Sequence, residues 1–323
     1  MESRVMIKKS SLVNSSAMQK VLAFGSLILL VVVFSVLSPN FLTKSNIISI
    51  LLATAVNGVL AVGVTFVIIT GGIDLSIGTV MTFASVIAGV FITMWGMPIW
   101  IGVLGAIGAG ALCGFINGFN VAKFKIPAFI ATLGMMMITK GLSLVISGAK
   151  PIYFTDTPVF SKISTGMTFG IPNAVYIFFT AAIIAGVVLG KTLLGRYTFA
   201  IGSNLEATRL SGVSTQKWLI AIHTLTGAFC GIAGILMAAR LNSAQPALGQ
   251  GYELDAIAAV VIGGTSLSGG KGTILGTIIG AFIMSTLING LRILSVPQEW
   301  QTVVTGIIVI GAVIADVARK QKN

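Results

Sequence analysis

A bundle of membrane-spanning helices is the fold this sequence predicts, and three observations predict it. The mean hydropathy is +1.02, and 55% of the 323 residues are hydrophobic against 9% charged, where a water-soluble globule carries about a quarter charged residues. Apolar runs of 17 or more residues recur along the chain, each long enough to cross a hydrocarbon layer about 30 Å thick. The 39 glycines suit such a bundle, because small residues let transmembrane helices approach closely.

Taken in order, the chain begins with a tail, residues 1–20, that carries Arg4, Lys8, Lys9 and Lys20. The apolar run Val21–Leu37 follows with no small-residue cleavage site after it, only Ser38-Pro39-Asn40, and so reads as an uncleaved first span. Nine further spans are expected over about 46–69, 76–95, 99–121, 127–147, 173–192, 217–239, 254–268, 272–293 and 298–316. Residues 21–316 thus form one transmembrane domain, with a polar loop at 193–217 and a short tail at 317–323. Trp95, Trp100, Trp218 and Trp300 all fall near span ends, as an interfacial aromatic belt requires.

Charge sets the orientation. With the N-terminus in the cytoplasm, the inner breaks hold Arg4, Lys8, Lys9, Lys20, Lys123, Lys125, Lys191, Arg196, Arg209, Lys217, Lys271, Arg319, Lys320 and Lys322. The outer breaks hold only Lys44, Lys150, Lys162, Arg240 and Arg292. This bias obeys the positive-inside rule and puts both termini in the cytoplasm. The net charge of +12 is therefore a topology signal. No basic or aromatic stripe marks a nucleic-acid-binding surface.

The breaks carry further signals. The outer segments Lys150–Pro172 and Arg240–Glu253 are either connectors or a rim for an external partner. Two breaks echo each other, Gly71-Gly72-Ile73-Asp74-Leu75-Ser76 and Gly263-Gly264-Thr265-Ser266-Leu267-Ser268. Paired glycine-interrupted segments point to the transport path in carriers built from repeats, although this match is short. Gly269-Gly270-Lys271-Gly272 is not a phosphate-binding loop: position 265 is Thr where the motif needs glycine, and Gly272 stands where it needs Ser or Thr.

No catalytic constellation is present in the sequence. Cys113 and Cys230 lie inside apolar runs, so neither a disulfide nor a metal site is indicated, and His223 reads as a packed helix residue. Polar groups within spans are costly and are functional candidates by default. Asn57, Asp74, Asn117, Asn120 and Asn289 are these candidates for a translocation path, with Thr132 a weaker member. Carboxamides both donate to and accept from hydroxyl groups, which suits a neutral polyol. The same side chains also serve as plain interhelical hydrogen bonds. Lys140 reads as snorkelling to the interface, and Glu253 and Asp255 as favouring a helix N-terminus.

The most distinctive stretch is the polar island Gly202–Gly212, GSNLEATRLSG. Ser203 stands three residues before Glu206, the spacing of a capping box, and Gly212 suits a left-handed C-terminal turn. A short exposed helix of about two turns, roughly 12 Å long, is expected. Glu206-Ala207-Thr208, three residues and Gly212 resemble the EAA–x3–G cytoplasmic loop of ABC importer permeases, with Thr208 in place of the usual second alanine.

From about residue 38 to 316 the chain resembles the permease subunit of ribose-type, monosaccharide ABC importers. The resemblance rests on SPNFLTKSNI at 38–47, AVGVTFVIITGGIDLSIG at 61–78 and PAFIATLGMMMITKGL at 127–142. It continues with LGRYTFAIGSNLEATRLSG at 194–212 and the stretch at 239–281 that begins ARLNSAQPALGQGYELD. It implies an all-α fold like that of type II ABC importer permeases, with no catalytic activity, cofactor or metal of its own. It also implies a second permease chain, in a homodimer or a permease pair, together with a cytoplasmic ATPase and an extracytoplasmic sugar-binding protein. Ser203, Glu206, Ala207, Thr208, Arg209 and Gly212 would form the ATPase contact. The alternatives are an ion-coupled secondary transporter using Asp74, or an ABC permease for xylose, galactose, a furanosyl signalling molecule or a branched-chain amino acid.

Overall fold

The structure is a computed structural model and describes residues 16–321. The basic residues Arg4, Lys8, Lys9 and Lys322 of the expected tails lie outside the described residues. Helix α1 spans Ser16–Leu37, α2 Lys44–Ile69, and α3 Ile77–Gly89 with a π-helical continuation Val90–Met94. Helices α4 (Ile99–Lys123) and α5 (Ala128–Ser147) follow. A small cap of β1 (Ile152–Tyr153), α6 (Lys162–Thr165), β2 (Met167–Thr168) and β3 (Ile171–Pro172) leads to α7 (Asn173–Lys191). Then come α8 (Leu193–Ser203), α9 (Leu205–Leu210), α10 (Thr215–Leu241), β4 (Ser243–Ala244), α11 (Tyr252–Ile262), α12 (Ile274–Ile293) and α13 (Gln298–Gln321).

Each expected span corresponds to a helix, and seven described helices are long and apolar enough to cross a membrane. The eighth is a correction. α11 ends at Ile262, so its 11 residues cover only about 16 Å. Gly263-Gly264 stops it, with Gly264 at φ +91°, a left-handed conformation open to glycine at little cost. The Ser266 N–H closes the following loop on the Lys271 carbonyl at 3.1 Å. Residues 317–321 of the expected C-terminal tail continue α13 as helix.

α2 is the axis of the bundle. From Thr54 to Ile69 every residue is buried, under α7, α10, α11 and α12. The tightest neighbours are α4 and α10, which meet through glycines. A Cβ on Gly114 would overlap the His223 carbonyl, and one on Gly227 or Gly110 would overlap the backbone of the other. This is small-residue packing of the kind that apolar surroundings favour.

At one end of the bundle β1 pairs antiparallel with β4, Ile152 opposite Ala244, above a stacked Phe154–Phe160 pair at 4.1 Å. The segment Arg240–Glu253 is not merely a rim. After β4 it turns inward, and Gly249 seats against Gly78 in the first turn of α3. Glu253 and Asp255 do occupy the first turn of α11. The Glu253 carboxylate accepts the Gly251 N–H at 3.0 Å.

Candidate functional site

Two regions gather the expected residues. The first is the break between α2 and α3. Here Thr70–Ser76 leaves the helical path, with Gly71 at φ +81°. Asp74 is buried, and its Oδ1 accepts the Ser76 N–H at 2.9 Å and the Ser76 hydroxyl at 2.6 Å. That hydroxyl accepts from Asn117 Nδ2 at 3.0 Å. From α5, the Thr132 hydroxyl accepts the Leu75 N–H at 3.1 Å and donates to the Ala128 carbonyl at 2.9 Å. One turn beyond Met135 on the same face, Thr139 donates to Thr79 at 2.8 Å. Asp74 and Asn117 are therefore joined through Ser76 in one buried network, as a carboxylate in an apolar bundle demands, while Thr132 holds the backbone of the same segment.

The remaining path candidates sit elsewhere. Asn57 is buried midway along α2. Asn289 donates to Asn46 Oδ1 at 2.9 Å, tying α12 to the start of α2. Asn120 lies near the far end of α4, and its carbonyl accepts the Phe124 N–H. Ser76, Thr79 and Thr139 were not singled out from the sequence. The signal was there: Thr132, Thr139 and Ser143 repeat at helical spacing on one buried face of α5. Lys140 does not simply snorkel; its Nζ donates to Gln250 Oε1 at 3.0 Å. His223 is packed as expected, with Nδ1 at 3.0 Å from the Leu219 carbonyl, and both cysteines are free and buried.

The second region is the hairpin of α8, α9 and the turn into α10. The helix forms where it was expected, but its cap is one residue later. Ser203 is the last residue of α8, so it cannot take the extended conformation of an N-cap. Asn204 does, at φ −163° and ψ 102°, and its Oδ1 accepts the Ala207 N–H at 2.9 Å. Glu206 turns instead to Arg209, with Nε to Oε2 at 3.1 Å and a second bond from Nη2 to Oε1. This charge-assisted pairing holds the Glu206 carboxyl below the usual carboxylate range. Thr208 faces inward and donates to the Asn204 carbonyl at 2.7 Å. Gly212 takes φ +83°, the left-handed turn expected of it.

The outward face of α9 thus offers Leu205, Glu206, Ala207, Arg209 and Leu210, with Leu210 75% exposed. Behind it lies a cavity of about 710 Å³ between α9, the Thr70–Gly72 turn, Lys125–Ala128 and the start of α10. Replacing Asn204 with alanine removes the side-chain cap, at a cost of about 1 kcal/mol to the helix. Tryptic cleavage at Arg209 should then run about fivefold faster, while cleavage elsewhere stays unchanged.

Helices broken at glycine pairs around a buried polar network, within a bundle of membrane-length helices, define a multi-pass membrane permease. The chain matches over residues 46–313 the family described as the branched-chain amino acid transport system / permease component, and it belongs to that family. It is 42% identical over 294 residues to the ribose import permease protein of Escherichia coli K12, covering 90% of this chain and 91% of that one. Its identity to the ribose import permease protein of Bacillus subtilis is 44% over 300 residues, 93% of each chain. To the fructose import permease protein of Rhizobium meliloti it is 38% over 298 residues, 90% of this chain and 83% of that one. No solved structure matches the chain.

Proposed function

We propose that this chain is the membrane-spanning permease subunit of an ABC importer that translocates ribose, with ATP hydrolysed by a separate cytoplasmic subunit. The observation that carries the reading is the similarity to ribose permeases along nine-tenths or more of both chains. The exposed α9 supplies the matching mechanical part: an ion pair flanked by two exposed leucines on a short rigid helix, a surface suited to a groove on a partner.

In this reading α9 faces the cytoplasm, as the charge bias requires, and Glu206, Ala207, Arg209 and Gly212 form or shape the ATPase contact. An extracytoplasmic sugar-binding protein delivers the monosaccharide at the opposite end, near β1 and β4. A second permease chain completes the path. Asp74 and Asn117, tied through Ser76, hold the broken segment; Asn57, Asn120 and Asn289 remain path candidates at other depths. The fructose permease relative favours a second reading, the same machine for another monosaccharide.

One experiment separates these. The chain is purified with its ATPase, reconstituted in proteoliposomes, and assayed with binding proteins loaded with ribose, fructose or arabinose. ATPase activity should rise severalfold with the ribose-loaded protein alone. Stimulation by another sugar would change the substrate, and ion-driven solute movement by the chain alone would replace the whole reading.

A further inference from the structure

The root of α9 meets two other segments backbone to backbone. Gly202, in the last turn of α8, lies against the carbonyl of Ile69, the last residue of α2; a Cβ on Gly202 would overlap that oxygen and stand 2.6 Å from the Gly270 nitrogen. The Gly270 N–H donates to the same Ile69 carbonyl at 2.8 Å. A Cβ on Gly269 would lie 2.7 Å from the Gly202 carbonyl and 3.0 Å from the Gly71 nitrogen. Gly71, Gly269 and Gly270 all have positive φ, between 74° and 84°, so each is needed for its turn as well as for the close approach.

The first of the two echoing glycine-interrupted segments and the Gly269-Gly270 pair that directly follows the second thus converge at one point, and that point is the foot of the docking helix. One leads through Asp74 and Ser76 into α3. The other joins the end of α11 to the start of α12. Side chains placed at this contact would introduce rotamer slack, whereas close-packed backbone transmits displacement directly.

We propose that Gly202, Gly269 and Gly270 form a relay that passes any displacement of α8 and α9 to the end of α2 and to the α11–α12 loop as one unit. The relay rests on the reading of α9 as the ATPase-docking helix. These glycines act as positioning residues for transport.

The test uses the complete transporter in proteoliposomes. A Cβ on Gly270 would lie 3.3 Å from Ser203 Cα, within reach of a disulfide, so a Ser203→Cys/Gly270→Cys chain is assayed with and without oxidant. Uptake is not the readout for this chain, because Gly270 is itself a relay position; the cross-link should form to within about twofold of the same yield with and without ATP. A yield that falls at least tenfold in one nucleotide state would overturn the relay, since the contact would then have to open in each cycle. Failure to cross-link in the folded chain would overturn the contact itself.

A second arm takes Gly202→Ala. The ATPase should still co-purify with it, and basal hydrolysis should persist, but stimulation by the loaded binding protein should fall at least fivefold. Full stimulation in that variant overturns the relay. Loss of the ATPase from the unmodified chain would instead sink the docking reading beneath it.

Discussion

Replacing Gly114 with leucine should remove most of the folded protein from detergent extracts. A Cβ at this position would overlap the backbone carbonyl of His223, with Gly227 Cα only 3.1 Å away. Backbone cannot swing aside as a flexible side chain does, so α4 and α10 would have to separate along their most extensive contact. Overpacking a core costs about 1–3 kcal/mol where neighbours can adjust, and here they are helix backbone on both sides. Monodisperse protein on size-exclusion chromatography should fall at least tenfold. Gly134→Leu is the control, because nothing lies within 4 Å of a Cβ there and its yield should hold. Equal yields from the two variants would show that the glycine contact is not what holds α4 to α10.

Reversing the charge at Glu206 should have the opposite signature: normal yield and lost transport. The Glu206–Arg209 pair is solvent-exposed, its side chains 63% and 61% accessible, and such pairs add little to stability. Glu206→Lys should therefore leave thermal unfolding almost unchanged while reducing ATP-driven uptake at least tenfold and releasing the ATPase in a pull-down. Because Arg209 lowers the Glu206 pKa, the carboxylate stays charged as pH falls and protonates only below its ordinary range. ATPase retention should accordingly be level from pH 8 to pH 6. Retained uptake in the lysine variant would refute α9 as the docking element.

Most helices could be read from the sequence because a run of apolar residues in lipid has only one way to satisfy its backbone. The misreadings have the same physical source. Residues 263–268 carry no charge to mark an end to the apolar run of α11, and hydropathy does not register that Gly263-Gly264 lets the backbone turn and bond to itself at Lys271. Ser203 and Asn204 are both good caps, and the choice between them depends on where α8 stops, which is at Ser203, one residue beyond the close approach of Gly202 to Ile69. The link from Asp74 through Ser76 to Asn117 spans 41 residues between hydroxyl and carboxamide, a distance over which local pattern carries no information. Gly212, by contrast, was legible because its backbone conformation is a local matter.

The burial of α2 also bears on how the protein is made. This helix is apolar on all sides and carries Asn57 at its centre, yet α7, α10, α11 and α12, which enclose it, are translated later. About 200 residues separate its end from the start of α12, some 10–40 s of synthesis at ribosomal rates. Until then α2 must wait in lipid, its carboxamide without the neighbours that later enclose it. Its surface therefore has to satisfy two solvents in succession: the bilayer during synthesis and the packed protein afterwards.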